Sequence, residues 1–176
     1  MKKIYITGVA GTGKTTVSEE LQKRGFYTIS IDETDGLCSW VDRETKERVQ
    51  GTTELTRDFT NKHQWVCDAE YLKKLIDVDE EIVFVLGITS NQSEYIDVFD
   101  IVLLLQCKPE VFLERLKNRI NNTFGKDKAI RDHMLDWYEG FETRLIAKGA
   151  IPVDASLPIN EVVDEVVKQA FLDSIN

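Results

Sequence analysis

Five short apolar runs, separated by polar stretches, set the first expectation for this chain. Each run is three to six residues long, which suits a β-strand better than a helix. The third and fourth runs are apolar at every position, as is usual for parallel strands that are covered on both faces. The predicted strands are residues 4–7, 26–31, 82–86, 101–105 and 151–153.

Between these runs, apolar residues recur at helical spacing. Val17 and Leu21 lie four residues apart, and Gly25 and Gly149 stand where helices are expected to end. The predicted helices are residues 16–24, 69–76, 93–99, 108–120, 127–148 and a final helix from about 159. This alternation predicts an α/β three-layer sandwich, with a five-stranded parallel sheet and helices on both faces. We expect residues 1–176 to form a single domain.

The polar segment from residue 33 to residue 60 shows no clean periodicity. We expect loops with short helical pieces here, because long connections in compact domains are usually lids or binding loops. Trp40, Phe59 and Trp65 lie in or just after this segment. They either line a pocket for a flat substrate or fasten the loop to the core, and the sequence favours neither interpretation.

Composition and charge narrow the class of protein. The formal net charge of −9 over 176 residues argues against a nucleic-acid partner. Cys38, Cys67 and Cys107 are scattered, without metal-ligand spacing, so we expect reduced thiols. The apolar run after Met1 is too short for a signal peptide, and no later run is long enough to span a bilayer, so a cytoplasmic protein without a membrane partner is expected. Monomer and homodimer remain open.

A glycine-rich segment follows the first predicted strand and leads into the first predicted helix. Its pattern is Gly, four residues, then Gly-Lys-Thr, which is the phosphate-binding loop in the strand-to-helix context that the motif requires. Backbone amides and the helix N-terminus would surround the phosphates, Lys14 would reach the outer ones, and the Thr15 hydroxyl would bind Mg²⁺. The alternative is an ordinary glycine-rich turn. The expected nucleotide contacts are Gly8, Gly11, Thr12, Gly13, Lys14, Thr15 and Thr16.

Two arginines lie four residues apart on the helix predicted for residues 108–120. At this spacing Arg115 and Arg119 would share one helix face and repel each other unless an anion lies between them. They are therefore catalytic candidates for stabilising a transferred phosphate, with Arg131 as a third candidate. The alternative is a solvated helix face with two ordinary arginines.

Acidic and polar residues follow the second and third strands. Asp32 ends the second strand, where it would either support Mg²⁺ and accept a proton from the acceptor, or simply cap a turn. Asp35, Trp65 and Asp68 are weaker substrate-site candidates. Gly87 and Asn91, after the third strand, would shape the acceptor pocket. His63 and His133 show no triad or metal spacing and are interpreted as structural or surface residues.

With these features in place, the chain resembles the small P-loop kinases of the nucleoside monophosphate kinase and shikimate kinase group. The resemblance implies a substrate-binding region at residues 33–77 and a lid at about residues 119–128. It also implies that the backbone of Asp154 and Ala155 contacts the adenine base. The shikimate kinases' Asp-x-Asp after the second strand is replaced here by Asp32-Glu33-Thr34-Asp35, and their triple glycine by the single Gly87.

The predicted function is an ATP- and Mg²⁺-dependent phosphotransferase that acts on a small acceptor. The sequence leaves the acceptor open between a nucleoside or nucleotide and a shikimate-like metabolite. The alternative is a nucleotide-dependent switch or assembly factor that hydrolyses ATP slowly.

Overall fold

The structure is a computed structural model, and it describes residues 1–52, 55–120 and 123–172. Part of the predicted lid, residues 121–122, lies outside the described residues. In chain order the strands are β1 (Lys2–Thr7), β2 (Tyr27–Ser30), β3 (Cys38–Asp42), β4 (His63–Cys67), β5 (Ile82–Leu86), β6 (Ile101–Gln106) and β7 (Ile151–Asp154). The helices are α1 (Lys14–Lys23), α2 (Arg57–Lys62), α3 (Ala69–Leu75), α4 (Pro109–Asn118), α5 (Lys128–Ala147) and α6 (Ile159–Phe171).

The main sheet contains the five predicted strands, all parallel, in the order β2-β5-β1-β6-β7. Strand β1 lies at its centre, where Ile6 pairs with Leu86 of β5 on one side and with Leu103 of β6 on the other. From β1 the chain crosses towards β2, and it later returns to β6 on the opposite side. In open α/β sheets, ligands bind at the carboxyl ends of strands where the order reverses in this way.

The side chains of the sheet alternate between two apolar layers, which is why the five runs read as continuously apolar. On one face, Val17 and Leu21 of α1 and Val163 of α6 pack against β1 and its neighbours. On the other face, α4 and α5 contribute Phe112 and Met134. The predicted sandwich, with helices on both faces of a five-stranded parallel sheet, is confirmed.

The segment after β2 differs from the prediction. Besides loops and the short helix α2, which agree with the prediction, it holds an antiparallel hairpin that was not predicted, in which β3 pairs with β4 and α2 lies between them. Trp40 stands directly opposite Trp65 in this pairing. A turn signature could not reveal the hairpin, because its strands are joined by twenty residues rather than by a tight two-residue turn.

Two helix predictions also need correction. Residues 93–99 form two short 3₁₀ turns, Gln92–Glu94 and Ile96–Val98, in place of one helix. Helix α4 ends at Asn118, and Arg119 is already extended, with φ −67° and ψ 132°.

Among the helices of the described part of the chain, none is long and apolar enough to cross a membrane.

The end of β5 requires a residue without a side chain. A Cβ atom added to Gly87 would lie 2.7 Å from the Cβ atom of Ile31, which follows β2. We expect Gly87→Ala to lower the free energy of unfolding by about 1–3 kcal/mol, because the two backbones must move apart. Urea unfolding would measure this change.

Gly51→Ala is the matched control, since its Cβ would meet only the Trp40 side chain at 3.6 Å, an ordinary contact. Its effect should stay within about 0.5 kcal/mol. Equal stability losses in the two variants would show that the close approach at Gly87 is unimportant.

Candidate active site

The phosphate-binding loop runs from the end of β1 to the start of α1 and is packed against β6 and α4. A Cβ atom on Gly8 would lie 2.6 Å from the Leu105 carbonyl oxygen. A Cβ atom on Gly11, which has a φ of +89°, would lie 2.5 Å from the Phe112 carbonyl oxygen. Glycine is therefore required at both positions by the close approach of neighbouring backbone.

The start of α1 keeps its amides open to a ligand. Gly13 is the N-cap in a left-handed conformation and provides no side-chain cap. Behind the loop, the buried Thr12 hydroxyl donates to the Val9 carbonyl at 2.9 Å, which stiffens the turn. Thr15 is half-buried and Thr16 exposed in the first turn of the helix. Uncapped amides and a helix N-terminus are suited to bind an anion such as a phosphate.

Lys14 folds back over this loop. Its Nζ atom donates to the Gly8 carbonyl at 2.6 Å and to the Val9 carbonyl at 3.1 Å. Burial lowers the pKa of Lys14 to about 8; nearby Asp32 raises this pKa, and nearby Arg119 lowers it. These three predicted catalytic residues therefore interact electrostatically, and an anion that approached Lys14 would relieve the cost of its buried charge.

Asp32 is held from the hairpin side. The Trp65 indole Nε1–H donates to Asp32 Oδ1 at 2.9 Å, which links β4 to the carboxylate that follows β2. Because this bond occupies one carboxylate oxygen, Asp32 has a fixed orientation and retains acceptor capacity on the other oxygen.

The hairpin aromatics pack against one another in tilted and edge-to-face arrangements beside Asp32. The ring centroids of Trp40 and Trp65 are 5.4 Å apart, and those of Trp40 and Phe59 are 5.0 Å apart. The ring centroids of His63 and Phe59 are 4.2 Å apart. The aromatic cluster, defined as Trp40, Phe59, His63 and Trp65, holds β3, α2 and β4 together, and its Trp65 contacts Asp32. These contacts agree with both interpretations of the tryptophans, as a fastening of this segment and as the lining of a pocket for a flat substrate.

The two arginines of the α4 region point to different partners. Arg115 donates from both Nη atoms to the Ala155 carbonyl at 3.1 Å, and its Nη1 lies 3.9 Å from where a Cβ on Gly13 would be. Arg119 lies beyond the last helical residue and affects the pKa of Lys14. The predicted helix extended past Arg119, whereas α4 ends at Asn118 with Arg119 as its C-cap; that the two arginines share one helix face stays a prediction. Arg131 donates to the carbonyls of residues 125 and 126, which holds that turn onto α5.

The turn after β7 is brought to the same edge of the sheet. The Ala155 amide donates to the Gln106 carbonyl at 2.7 Å. Hydrogen bonds from Ser156 to the Asp154 carboxylate lower the pKa of Asp154. Through Arg115, this turn is tied to α4 and lies near the phosphate-binding loop, as the expected adenine contact requires.

The remaining substrate-site candidates have mainly local contacts. Asp68 caps α3 by accepting from the Tyr71 amide at 2.9 Å, and Asp35 is exposed in a turn. Gly87 packs on Ile31. The buried Asn91 side chain accepts from the Cys67 amide at 3.0 Å and donates to the Cys67 carbonyl at 2.9 Å, so it positions β4 rather than offering its amide to a ligand.

Sequence reasoning missed one residue that supports this edge. The Tyr5 hydroxyl, fully buried in β1, donates to the Gly87 carbonyl at 3.0 Å and lies 3.3 Å from the Tyr95 hydroxyl. Burial raises the pKa of Tyr5 well above its ordinary value. The available signal was a tyrosine between two isoleucines in the first predicted strand, since a buried hydroxyl needs a partner.

The donor set suits a nucleoside triphosphate with Mg²⁺. Thr15 in the first turn of α1 and Asp32 beside Lys14 provide the hydroxyl and carboxylate oxygens that Mg²⁺ prefers. No cluster of three or more His, Cys, Asp or Glu side chains that could hold a metal occurs in residues 1–52, 55–120 and 123–172. Such a site would therefore rely on the phosphates for most of its Mg²⁺ ligands, as is usual for this ion.

Comparison with protein families identifies the relationship. Residues 4–136 match the model of a family described as AAA domain. The chain belongs to this AAA domain family. The match covers the phosphate-binding loop, the hairpin, α4 and the start of α5, and the resemblance to small P-loop kinases is confirmed at the level of the family.

Individual relatives carry kinase names. A protein of Methanocaldococcus jannaschii, whose name assigns it provisionally as an adenylate kinase, is 32% identical over 118 residues, which cover 66% of this chain and 58% of that protein. A shikimate kinase of Bacillus anthracis is 27% identical over 175 residues, covering 96% of this chain and 93% of that enzyme. The chain spans just over half the length of the first curated relatives that it matches, which include the Methanocaldococcus jannaschii protein.

Solved structures support the fold. A shikimate kinase from Acinetobacter baumannii in complex with shikimate superposes with a TM-score of 0.62 at 16% identity, covering 100% of this chain and 96% of that one. At this identity the likeness shows a shared fold and says nothing of substrates.

The lowered pKa of Lys14 gives a prediction about stability and pH. Below a pH of about 8 the folded protein bears the full cost of the buried ammonium, and this cost disappears as pH rises towards the ordinary lysine pKa of 10.5. Relative to Lys14→Met, the wild-type protein should therefore become more stable between pH 8 and pH 10, by about 1–2 kcal/mol. Urea unfolding in phosphate-free buffer would measure the difference.

Lys23→Met, which removes an exposed lysine from the same helix, is the control and should show no such dependence. A Lys14→Met difference that is constant across this pH range would contradict the buried-charge interpretation.

The bond between Trp65 and Asp32 can be tested by a double-mutant cycle. Trp65→Phe and Asp32→Ala should show a coupling energy of about 0.5–1 kcal/mol in urea unfolding, because each removes the same partly exposed hydrogen bond. Trp65→Phe combined with Asp35→Ala is the matched control and should be additive. Additivity in both cycles would mean that the bond contributes nothing measurable.

Proposed function

We propose that this chain is an ATP- and Mg²⁺-dependent phosphotransferase that transfers the γ-phosphate of ATP to a small acceptor. The observation that carries the proposal is the position of Lys14. Its part-buried ammonium lies on an uncapped, amide-rich loop and interacts with both Asp32 and Arg119. A triphosphate that entered this loop would meet the amides, the ammonium and the guanidinium together.

Each part then has a role in phosphoryl transfer. The loop amides and Lys14 bind the β- and γ-phosphates and offset the charge that spreads over the transferred group. Arg119 adds positive charge near Lys14. Bound Mg²⁺, held through Thr15 and Asp32, would neutralise phosphate charge during transfer.

Arg115 positions the nucleotide end of the site. Its guanidinium is fixed by the Ala155 carbonyl and lies close to Gly13, so it joins the base-side turn to the phosphate-binding loop. The backbone of Asp154 and Ala155 is our candidate for contacting the adenine ring. This arrangement would align the triphosphate for in-line attack by the acceptor.

Asp32 is the candidate that receives the acceptor. Its orientation is set by Trp65, and its remaining oxygen can accept a proton or a hydrogen bond from an attacking hydroxyl. The aromatic cluster beside it supports an acceptor with a flat ring, such as a nucleoside or nucleotide, over a shikimate-like acid. The name of the Methanocaldococcus jannaschii relative agrees with a nucleotide acceptor, whereas that of the Bacillus anthracis relative agrees with the acid.

Calorimetric titration with Mg²⁺ and ATP tests the nucleotide part of the proposal. We expect saturable binding by the wild-type protein and at least a tenfold weaker affinity for Lys14→Ala, because the variant loses a charge-assisted phosphate contact. Lys23→Ala should bind as the wild type does. Absence of binding by the wild type would reject the proposal.

An ADP-release assay with a panel of nucleosides, nucleotides and cyclitol acids tests the reaction. Strong stimulation by one acceptor, with phosphate appearing on that acceptor, is expected. Hydrolysis that no acceptor stimulates would instead favour a nucleotide-dependent switch or assembly factor, which we keep as the second candidate.

A further inference from the structure

Cys38 and Cys67 lie directly opposite each other at one end of the hairpin. Cys38 is the first residue of β3 and Cys67 is the last residue of β4, and both carry free thiols. Cys67 is only 1% exposed, whereas Cys38 is partly exposed. Neither thiol takes part in the proposed phosphoryl transfer.

The backbone hydrogen bonds show which kind of cross-strand pair the two cysteines form. The Cys67 amide donates to the Asn91 side chain at 3.0 Å, and its carbonyl accepts from that side chain at 2.9 Å, so both groups point away from Cys38. One residue beyond the pair, the Asp68 amide donates to the Leu37 carbonyl at 2.8 Å. This is the pattern of a non-hydrogen-bonded pair, in which opposing side chains come closest.

The separation in such a pair suits a disulfide. Opposing Cα atoms in a non-hydrogen-bonded pair lie about 4.5 Å apart, and a disulfide spans Cα atoms that are about 4.4–6.8 Å apart. The thiols of Cys38 and Cys67 are close enough to hydrogen bond to each other, and this bond, together with burial, raises the pKa of Cys38. The two thiols therefore face each other in the reduced protein.

The pair adjoins the contact that orients Asp32. Side chains two residues apart on a strand lie on one face, so Cys67 shares a face of the hairpin with Trp65, and Cys38 shares it with Trp40. Trp65 donates to the Asp32 carboxylate at 2.9 Å, and Asp32 lies close enough to Cys38 to raise its pKa further. A covalent bond between the cysteines would therefore hold the two strands together at the end of the hairpin beside Asp32.

Cys107 provides a comparison within the same molecule. It follows β6 in the main sheet and is partly exposed, as Cys38 is. Burial raises its pKa, and the charged side chains that also act on this pKa are Arg115, Glu142 and Asp154. Cys107 thus has the exposure of Cys38 without an opposing thiol.

We propose that Cys38 and Cys67 are a modification site, at which a small organic disulfide oxidises the two thiols to a cross-strand disulfide. Cys38, which is partly exposed, loses its proton to solvent and attacks one sulfur of the reagent. The S–S bond of the reagent breaks, a mixed disulfide forms on Cys38, and one reagent thiolate leaves and is protonated. The Cys67 thiolate then attacks the Cys38 sulfur and displaces the second reagent thiol.

The exchange is balanced, because the two cysteines lose two electrons and the reagent is reduced to two thiols. An excess of a dithiol reverses it. The cross-link fixes the strand pairing that places Trp65 beside Asp32, whatever reaction the site performs. The proposal therefore goes beyond the proposed function and does not depend on it.

The raised pKa of Cys38 and the charge of the chain determine the conditions of the test. The thiolate is the attacking species, so oxidation is slow at neutral pH and needs a long incubation. The formal net charge of −9 would repel an anionic disulfide such as oxidised glutathione. The probe is therefore bis(2-hydroxyethyl) disulfide, which is neutral.

The first experiment is peptide mapping by mass spectrometry after the folded protein has been incubated with this probe. In the wild type we expect a single linked pair, Cys38 with Cys67, and a loss of two hydrogen atoms from the hairpin peptides. Cys67→Ser should stop at the mixed disulfide on Cys38, since no thiol displaces the second half of the reagent. Cys107 should form at most the mixed disulfide.

Two results of this mapping would overturn the proposal. Retention of both hairpin thiols, whether or not Cys107 reacts, would show that the pair is an inert part of the core. A wild-type protein that stops at the mixed disulfide on Cys38, as Cys67→Ser does, would show that the thiols are not positioned to join.

The second experiment measures thermal unfolding of Cys107→Ser, which leaves only the hairpin pair. Oxidation should raise its melting temperature by about 5–10 °C, because the bond closes the loop of residues 38–67 in the unfolded chain. Dithiothreitol should remove the increase. The matched control combines Cys107→Ser with Cys38→Ser and should show no comparable change.

A melting temperature that stays the same or falls on oxidation would show that the folded hairpin does not accommodate the bond. Neither experiment uses a nucleotide or an acceptor. Their outcome therefore decides the fate of this site alone, and the calorimetric and ADP-release experiments decide that of the phosphotransferase.

Discussion

A positive charge partly shielded from water on the phosphate-binding loop is the constraint on which the site depends. Partial burial makes the ammonium of Lys14 costly, and two loop carbonyls and the nearby carboxylate of Asp32 offset that cost. Neutral packing at this position would be more stable. The destabilising charge lies where it would stabilise a bound anion most. Such local destabilisation is common at functional sites.

Much of the surrounding architecture places other groups within reach of that charge. The close approach of the loop at Gly8 and Gly11 brings the end of β6 and the side of α4 against it. Helix α4 then directs Arg115 to the turn after β7, and the chain beyond the helix end places Arg119 near Lys14. A larger residue at either glycine would move the arginines as well as the loop.

The sequence was sufficient for features that depend on neighbours in the chain. The five strands and the loop could be predicted because apolar runs and glycine spacing are local patterns. The hairpin could not, since the pairing of Trp40 with Trp65 joins strands separated by a helix and loops. The end of α4 before Arg119 was missed for a related reason: a helix end is set by tertiary contacts as much as by propensity.

In the candidate site, too, local features could be predicted from the sequence and contacts between distant segments could not. Lys14 could be recognised from the glycine-rich motif and Asp32 from its position at the end of the second predicted strand, because both features are visible in the sequence. The bond from Trp65 to Asp32 joins elements distant in the chain, so no spacing rule could indicate it. Acceptor recognition depends on such contacts, which explains why the sequence left the acceptor open.

The Asn91 side chain pairs with both backbone groups of Cys67, as the backbone of an adjacent strand would. If β4 shifted by one residue, a residue adjacent to Cys67 would lie opposite the Asn91 side-chain amide. The indole of Trp65 would then point to the other side of the hairpin. The Asn91 amide therefore fixes the register of β4. The register of a two-stranded hairpin is weakly specified by itself, and the bonds to Cys67 select the alignment in which Trp65 faces Asp32.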